Sequence, residues 1–506
     1  MNRMPLLREE PWPGNATVGK RRRAGAFPGP LNQPKRERHA NKPQLFSLAH
    51  PVSATPFSRR QWLQTVSGGF GYLALAGLCA EESPATSPLA PKTPHFAPRA
   101  KRIIFLCMRG GPSHVETFDH KPQLNADNLK PGRNPKAKLF GSQWKFAQHG
   151  QSGLWMSSLF PHLATQADRL CMIHSMHTDN ENHPQALEQL HTGSFQFIRP
   201  SMGSWIAYGL GTENRNLPGF VALNPLSALG GSRYYSSSFL PASFAATRIG
   251  DSGKPIARAR VGNLTSPRLA PDAQRRQLDL LQSLNQETAR AQARDGRLEG
   301  VIESFELAFR MQSELPRVLD LSGESPATQA LYGIGNGLPT DDFGRQCLLA
   351  RRLAEAGVRF IEITHEDWDH HGFVSTLMPK ACGQIDKPIT GLLTDLAQRG
   401  LLDDTLVVWS GEFGRTPDDP TQDGRGHNNK GFTTWLAGGG TRPGLAYGKT
   451  DEHGYEAVEN KVHLHDLHAT MLHCLGLDHE RLTFRHAGRD FRLTDVHGHV
   501  VKDIFA

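Results

Sequence analysis

Cysteine is scarce in this sequence: six residues, Cys79, Cys107, Cys171, Cys347, Cys382 and Cys474, are scattered over 506 positions and none forms a C-x-x-C pair. That spacing excludes zinc-ribbon and thioredoxin-like chemistry. Cys107 and Cys347 lie in apolar strand and helix patterns, where a small buried hydrophobe is the expected role. Long apolar runs are missing too. The weakly apolar stretch over residues 66–80 falls short of the roughly 20 residues that span a bilayer, which excludes a permanent transmembrane helix. Two catalytic loops are also absent. "WLAGGGTRPG" lacks the lysine and spacing of a G-x-x-x-x-G-K-[ST] phosphate loop, and the adjacent Ser113 and His114 belong to no G-x-S-x-G elbow. No long repeat is visible, which excludes a solenoid or propeller.

The formal net charge of +8 suggests a nucleic-acid partner until it is located. Residues 1–60 hold twelve Lys and Arg against three Glu, so the basic excess lies in this arm and the remainder sums to about −1. Phosphate-backbone binding needs clustered Lys and Arg on a folded face, so no nucleic-acid partner is expected. Arg59 and Arg60 precede a Gly-rich apolar stretch that ends in small residues, a pattern that resembles a twin-arginine signal peptide. The expected organisation is a disordered basic extension over 1–57 (or a start downstream of Met1), a twin-arginine signal over 58–80, and a Pro/Ser/Ala linker over 81–100. The folded domain is expected over 101–506, in a protein exported to the periplasm or beyond.

"RIIFLCM" reads as a buried parallel strand that stops at Gly110, Gly111 and Pro112. "VRFIEIT", "TLVVWS" and "FTTWLAGGG" read as further strands. "DFGRQCLLARRLAEAG", "IDKPITGLLTDLAQRG" and "LHDLHATMLHCLGL" read as helices that end at glycine. Alternation of this kind predicts a three-layer α/β domain with a mostly parallel sheet. Residues 210–335 are less regular and are expected to be a helical insertion over one face.

Polar clusters stand just past the predicted strands, where open α/β sheets gather their ligands. They hold Ser113, His114 and Asp119; His183; Asp367, Asp369, His370 and His371; and Glu412, Arg415 and His427. Mixed histidine and carboxylate is the donor chemistry of a divalent metal site. "HEDWDHH" is the densest, with six ionisable residues in seven positions. A lone histidine more often serves a loop backbone. Most of His463, His465, His468 and His473 are accordingly expected to be packed or solvated.

The phrases "GGPSHVETFDHKP", "RPSMGSWIAYGLG", "FGRQCLLARRL", "GLLDDTLVVWSGEFGRTP" and "GRDFRLTDVHG" resemble the bacterial domain-of-unknown-function 1501 family of the alkaline phosphatase-like superfamily. The resemblance covers essentially all of the expected mature chain and implies an alkaline phosphatase-like, sulfatase-like fold. Where sulfatases end the first strand in two metal-binding aspartates, this chain has Arg109 and Gly110, so His114 or Asp119 would have to supply ligands. The nucleophile position, nine residues before Thr192 and Gly193, holds His183 instead of cysteine or serine. Asp369 and His371 resemble one ligand pair, Glu412 replaces a second-strand ligand, and His427 resembles the last histidine. The resemblance implies one or two divalent ions (Zn, Ca, Mg or Mn) held by these residues. Arg415 would offset the charge of a bound phosphate or sulfate ester on a small molecule or glycan. Attack by His183 or by water both remain open. The lost aspartate pair equally suits a non-catalytic, metal-stabilised binding or assembly protein on a degenerate scaffold.

Overall fold

Apolar runs of strand length become one central sheet in the computed structural model. The structure describes residues 87–506 apart from 228–229, 260, 262–263, 265–267 and 292–295, and the backbone alone over the rest of 286–299. The expected basic extension and twin-arginine segment, with 81–86 of the linker, lie outside the described residues. In chain order the strands are β1 (Arg102–Met108), β2 (Leu170–His177), β3 (Phe220–Leu223), β4 (Thr247–Ile249), β5 (Phe360–His365), β6 (Thr405–Ser410), β7 (Phe432–Ala437), β8 (Leu445–Tyr447) and β9 (Val462–His463). The sheet order is β8-β2-β7-β6-β1-β5-β3-β4, with β9 also pairing β2. Every pairing is parallel except the two made by β7.

All seven residues of β1 are buried. Successive strand side chains point to opposite faces, so this pattern requires cover on both sides of the sheet, and it explains why the strand reads as an unbroken apolar run. The cover comes from helices among α1 (His183–Thr192), α2 (Met202–Leu210), α3 (Pro271–Ala291), α4 (Gly296–Leu319), α5 (Asp341–Glu355), α6 (Val374–Gln398) and α7 (Leu464–Cys474), with α3 packed on α4 rather than on the sheet. On α5, Phe343, Cys347, Leu348 and Leu353 bury one face at helical spacing, and the helix stops before Gly357 at φ +91°. Each fully buried aliphatic side chain of this kind stabilises the fold by about 1.5 to 3 kcal/mol.

Two expected boundaries move. Residues 87–100 are part of the folded unit rather than linker: Leu89 and Ala100 are buried, and the amides of His95 and Arg99 bond the carbonyls of Gly476 and Cys474. The 210–335 segment is not simply an insertion, because β3 and β4 lie in it and complete one edge of the central sheet. α3 and α4, in the same segment, fit the expected helical part of it. β1, β5 and β6 are adjacent and parallel, with Met108 opposite His365 and Cys107 opposite Ser410. Their carboxyl ends therefore open on one edge, and the loops that follow them meet there.

Candidate metal centre

The loop after β5 is held in an uncommon conformation: Asp367 and Phe373, on either side of Asp369–His371, have φ of +72° and +57°. Strain of this kind persists only where the surroundings impose it. Gly110, past the end of β1, supplies part of that constraint. A Cβ there would sit 2.6 Å from the amide nitrogen of Asp369, so the two loops touch only because residue 110 has no side chain. Gly424 does the same on the other flank, where a Cβ would meet the His371 carbonyl oxygen at 2.1 Å.

Asp369 Oδ1 is the hub of the site. Arg415 lies 2.6 Å from it, His371 Nε2 3.0 Å, His183 Nε2 3.2 Å and His427 Nε2 3.4 Å. His371 Nε2 and His427 Nε2 are 2.9 Å apart. One ligand atom each from His183, Asp369 and His427 lies within 4.8 Å of the others, a spacing that suits a shared ion. Asp369, His371 and His427 thus come together as the sequence suggests, and His183 joins them from the first turn of α1.

Glu412 takes a different part from the expected one. Fully buried, it accepts a 2.6 Å bond from His183 Nδ1 and bonds from the Gly110 amide at 3.0 and 3.1 Å. It therefore sits behind His183. A carboxylate on one imidazole nitrogen fixes the tautomer and aims the other nitrogen, an arrangement typical of metal-ligating histidines. His183 Nε2 is buried and lies 3.2 Å from Asp369 Oδ1, so this nitrogen faces the cluster. Two imidazole nitrogens and one carboxylate oxygen, with His371 alongside, fit a first-row divalent ion.

Arg415 also departs from expectation. It is 1% exposed, and its guanidinium donates to the carbonyls of Gly110, Gly111 and Arg425 and to Asp369. With four of its five N–H donors committed and its side chain buried, it orients Asp369. His114 and Asp119 do not join the cluster. His114 Nε2 bonds the Gly454 carbonyl at 2.8 Å, while Asp119 pairs with Lys121 at 3.0 Å and accepts from Thr450. The helical turn that starts at His114 carries both away from the end of β1.

Electrostatics follow the geometry. Burial raises the Asp369 carboxyl, but its bonds from His183, His427 and Arg415 outweigh this and hold it well below the usual carboxylate range. Burial lowers the His183 imidazole, and its bonds to Asp369 and Glu412 more than offset that and hold it above 6.5. His371 is lowered by burial and by Arg415. Beside Asp369 opens a cavity of about 350 Å³ whose wall includes Arg109, Lys380 and Gln384. Neither cation is marked in the sequence: Lys380 lies inside α6, and Arg109 occupies a position where the resemblance implies an acidic residue.

A family model described as "Protein of unknown function (DUF1501)" matches residues 100–505. The chain belongs to the DUF1501 family. No curated protein sequence matches this family member. Among solved structures, a lipoteichoic acid synthase from Listeria monocytogenes is similar at 10% identity and a TM-score of 0.35, over 80% of this chain and 78% of that one. A sulfatase from Pseudoalteromonas sp. is similar at 12% identity and a TM-score of 0.33, over 76% and 69%. The alkaline phosphatase of the Antarctic bacterium TAB5, in a variant with magnesium bound, is similar at 13% identity and 0.27, over 70% and 95%. Likenesses of this size assign no activity to the DUF1501 chain. No helix among the described residues is long and apolar enough to cross a membrane.

Proposed function

We propose that this chain is an exported metal-dependent hydrolase of a phosphate or sulfate ester, carried on a small molecule or glycan, that works without a cysteine or serine nucleophile. The observation that carries the reading is the convergence of His183, His371 and His427 on Asp369 Oδ1, with Glu412 orienting His183 from behind. The nitrogen-rich donor set favours zinc or manganese over calcium or magnesium. An ion held there would supply Lewis acidity for the ester oxygens and for an attacking water.

The chain's own residues divide the remaining work. Glu412 accepts from His183 Nδ1, which turns His183 Nε2 toward the cluster as a candidate ligand. Arg415 fixes Asp369. Arg109 and Lys380, on the cavity wall, replace Arg415 as the cations that meet the ester's anionic group. The twin arginines at 59 and 60 support export.

The second reading, a metal-stabilised binding or assembly protein, is favoured by Arg415, whose contact with Asp369 offsets the charge of that carboxylate. Purified full chain with its metal content measured, assayed on aryl phosphate and aryl sulfate, separates the two. The hydrolase reading expects turnover that His183→Ala abolishes while the fold stays intact. Stoichiometric metal without turnover of either substrate would overturn it and leave the assembly reading.

A further inference from the structure

Behind Glu412 lies a second cluster that the proposed reaction does not use. Cys107 on β1, His191 on α1 and Glu362 on β5 are each 0 to 1% exposed, and one ligand atom from each lies within 4.8 Å of the others. We infer that Cys107, His191 and Glu362 form an inner, structural binding site for a thiophilic divalent cation such as zinc.

Three observations carry this. The first is the orientation of His191: its Nδ1 bonds the Leu187 carbonyl at 2.7 Å, which leaves Nε2 facing Glu362 Oε1 at 3.0 Å. A backbone carbonyl on one ring nitrogen is how metal-ligating histidines are commonly held. The second is the thiol. A His–Glu ion pair alone has no need of one, yet Cys107 completes the group, while the other described cysteines, Cys171, Cys347, Cys382 and Cys474, belong to no such cluster. The third is charge. With a divalent cation, thiolate, neutral imidazole and carboxylate sum to zero, Cys107 Sγ giving up its proton to solvent as the ion binds. A fully buried position demands such neutrality, and a coordinating thiol is deprotonated by the ion itself.

At the His191–Glu362 contact the geometry needs little adjustment, and Cys107 Sγ starts within 4.8 Å of both partners. Ligand atoms around a tetrahedral zinc lie about 3.3 to 3.8 Å apart, so the His191–Glu362 contact would open by a few tenths of an ångström. Burial means that the ion enters as the chain folds, as in structural zinc sites. Its effect would be to tie together β1, α1 and β5, the elements that set Gly110, His183 and the Asp369 loop. His183 and His191 are eight residues apart on α1, so the two centres would lie about 12 Å from each other along that helix. The inner site does not depend on the hydrolase reading.

The test uses full-length protein produced in metal-depleted medium supplied with Co²⁺, so that the ion is present as the chain folds, followed by absorption spectroscopy and metal analysis. A cobalt–thiolate charge-transfer band is expected. Cys107→Ser should remove the band and one metal equivalent, whereas His183→Ala should remove a different equivalent and keep the band. X-ray absorption on the zinc-loaded His183→Ala protein should show one sulfur scatterer at about 2.3 Å, which decides the matter even if Cys107→Ser fails to fold. A cobalt-loaded wild type with no thiolate band, or a band that survives Cys107→Ser, overturns the inference. If metal binds at one equivalent that depends on His183 alone, the outer centre stands and the inner one falls.

Discussion

Replacing Glu412 with glutamine keeps the size of the side chain and one acceptor oxygen but removes the negative charge from a fully buried position. In the native protein that charge has two dependants, the Gly110 amide and His183 Nδ1 at 2.6 Å. A short bond from imidazole to a buried carboxylate is worth about 1.5 to 3 kcal/mol. The neutral amide recovers part of it, and its NH₂ group can turn toward His183 and favour the wrong tautomer. Loss of a carboxylate behind a metal-ligating histidine typically weakens metal affinity 10- to 100-fold, or about 1.4 to 2.7 kcal/mol. Glu412→Gln should therefore bind Zn²⁺ or Mn²⁺ about 10- to 100-fold more weakly than wild type in a calorimetric titration, with an unchanged circular dichroism spectrum. His371→Ala, which removes a partly exposed ligand candidate, should weaken binding without disturbing the fold. If Glu412→Gln binds metal as tightly as wild type, His183 is not a ligand held by Glu412, and the division of labour at this site is wrong.

Three further outcomes follow from other parts of the chain. Glu116 and Arg425 form an ion pair with both side chains 0% exposed; Arg425→Met leaves the carboxylate buried and unpaired and should cost about 3 to 5 kcal/mol in urea unfolding, whereas a loss below 1 kcal/mol would refute the pairing. Burial lowers His114 and His365 from 6.5 to about 4 and His468 to about 3. The unfolded chain then binds more protons than the folded one, so the stability these groups contribute is complete above pH 6.5. It falls as pH drops toward about 4, by about 3 kcal/mol for a fully buried imidazole, and denaturation midpoints that stay flat from pH 7 to pH 4.5 would contradict this. Finally, replacing Arg59 and Arg60 with lysine should hold the protein in the cytoplasm, and unchanged periplasmic recovery removes the export proposal.

The fold was largely legible because its strands are buried on both faces and read as continuous apolar runs, as in residues 102–108 and 405–410. The short strands β3 and β4, at one side of the sheet, give no period to detect, being four and three residues amid glycine, proline and serine. At the site, the dense "HEDWDHH" segment did mark the hub. The roles of Glu412 and Arg415 were not readable, because position after a strand does not say whether a side chain points at the cluster or lies behind it. His114 and Asp119 were misplaced for a related reason: the turn at Gly110 is followed at once by a helical turn that redirects the chain. Cys107, His191 and Glu362 come from three elements about 250 residues apart in sequence, and only the pairing of β1 with β5 and the docking of α1 bring them together.

The most direct measurement is an anomalous difference map at the absorption edge of whichever first-row metal accompanies the purified protein. A shared ion gives a peak about 2.0 to 2.2 Å from His183 Nε2, Asp369 and His427 Nε2, with His371 beside it and Glu412 behind His183. Density elsewhere, or a fully ordered site that stays empty with Zn²⁺ and Mn²⁺ in the crystallisation drop, would contradict the assignment of these residues as a metal centre.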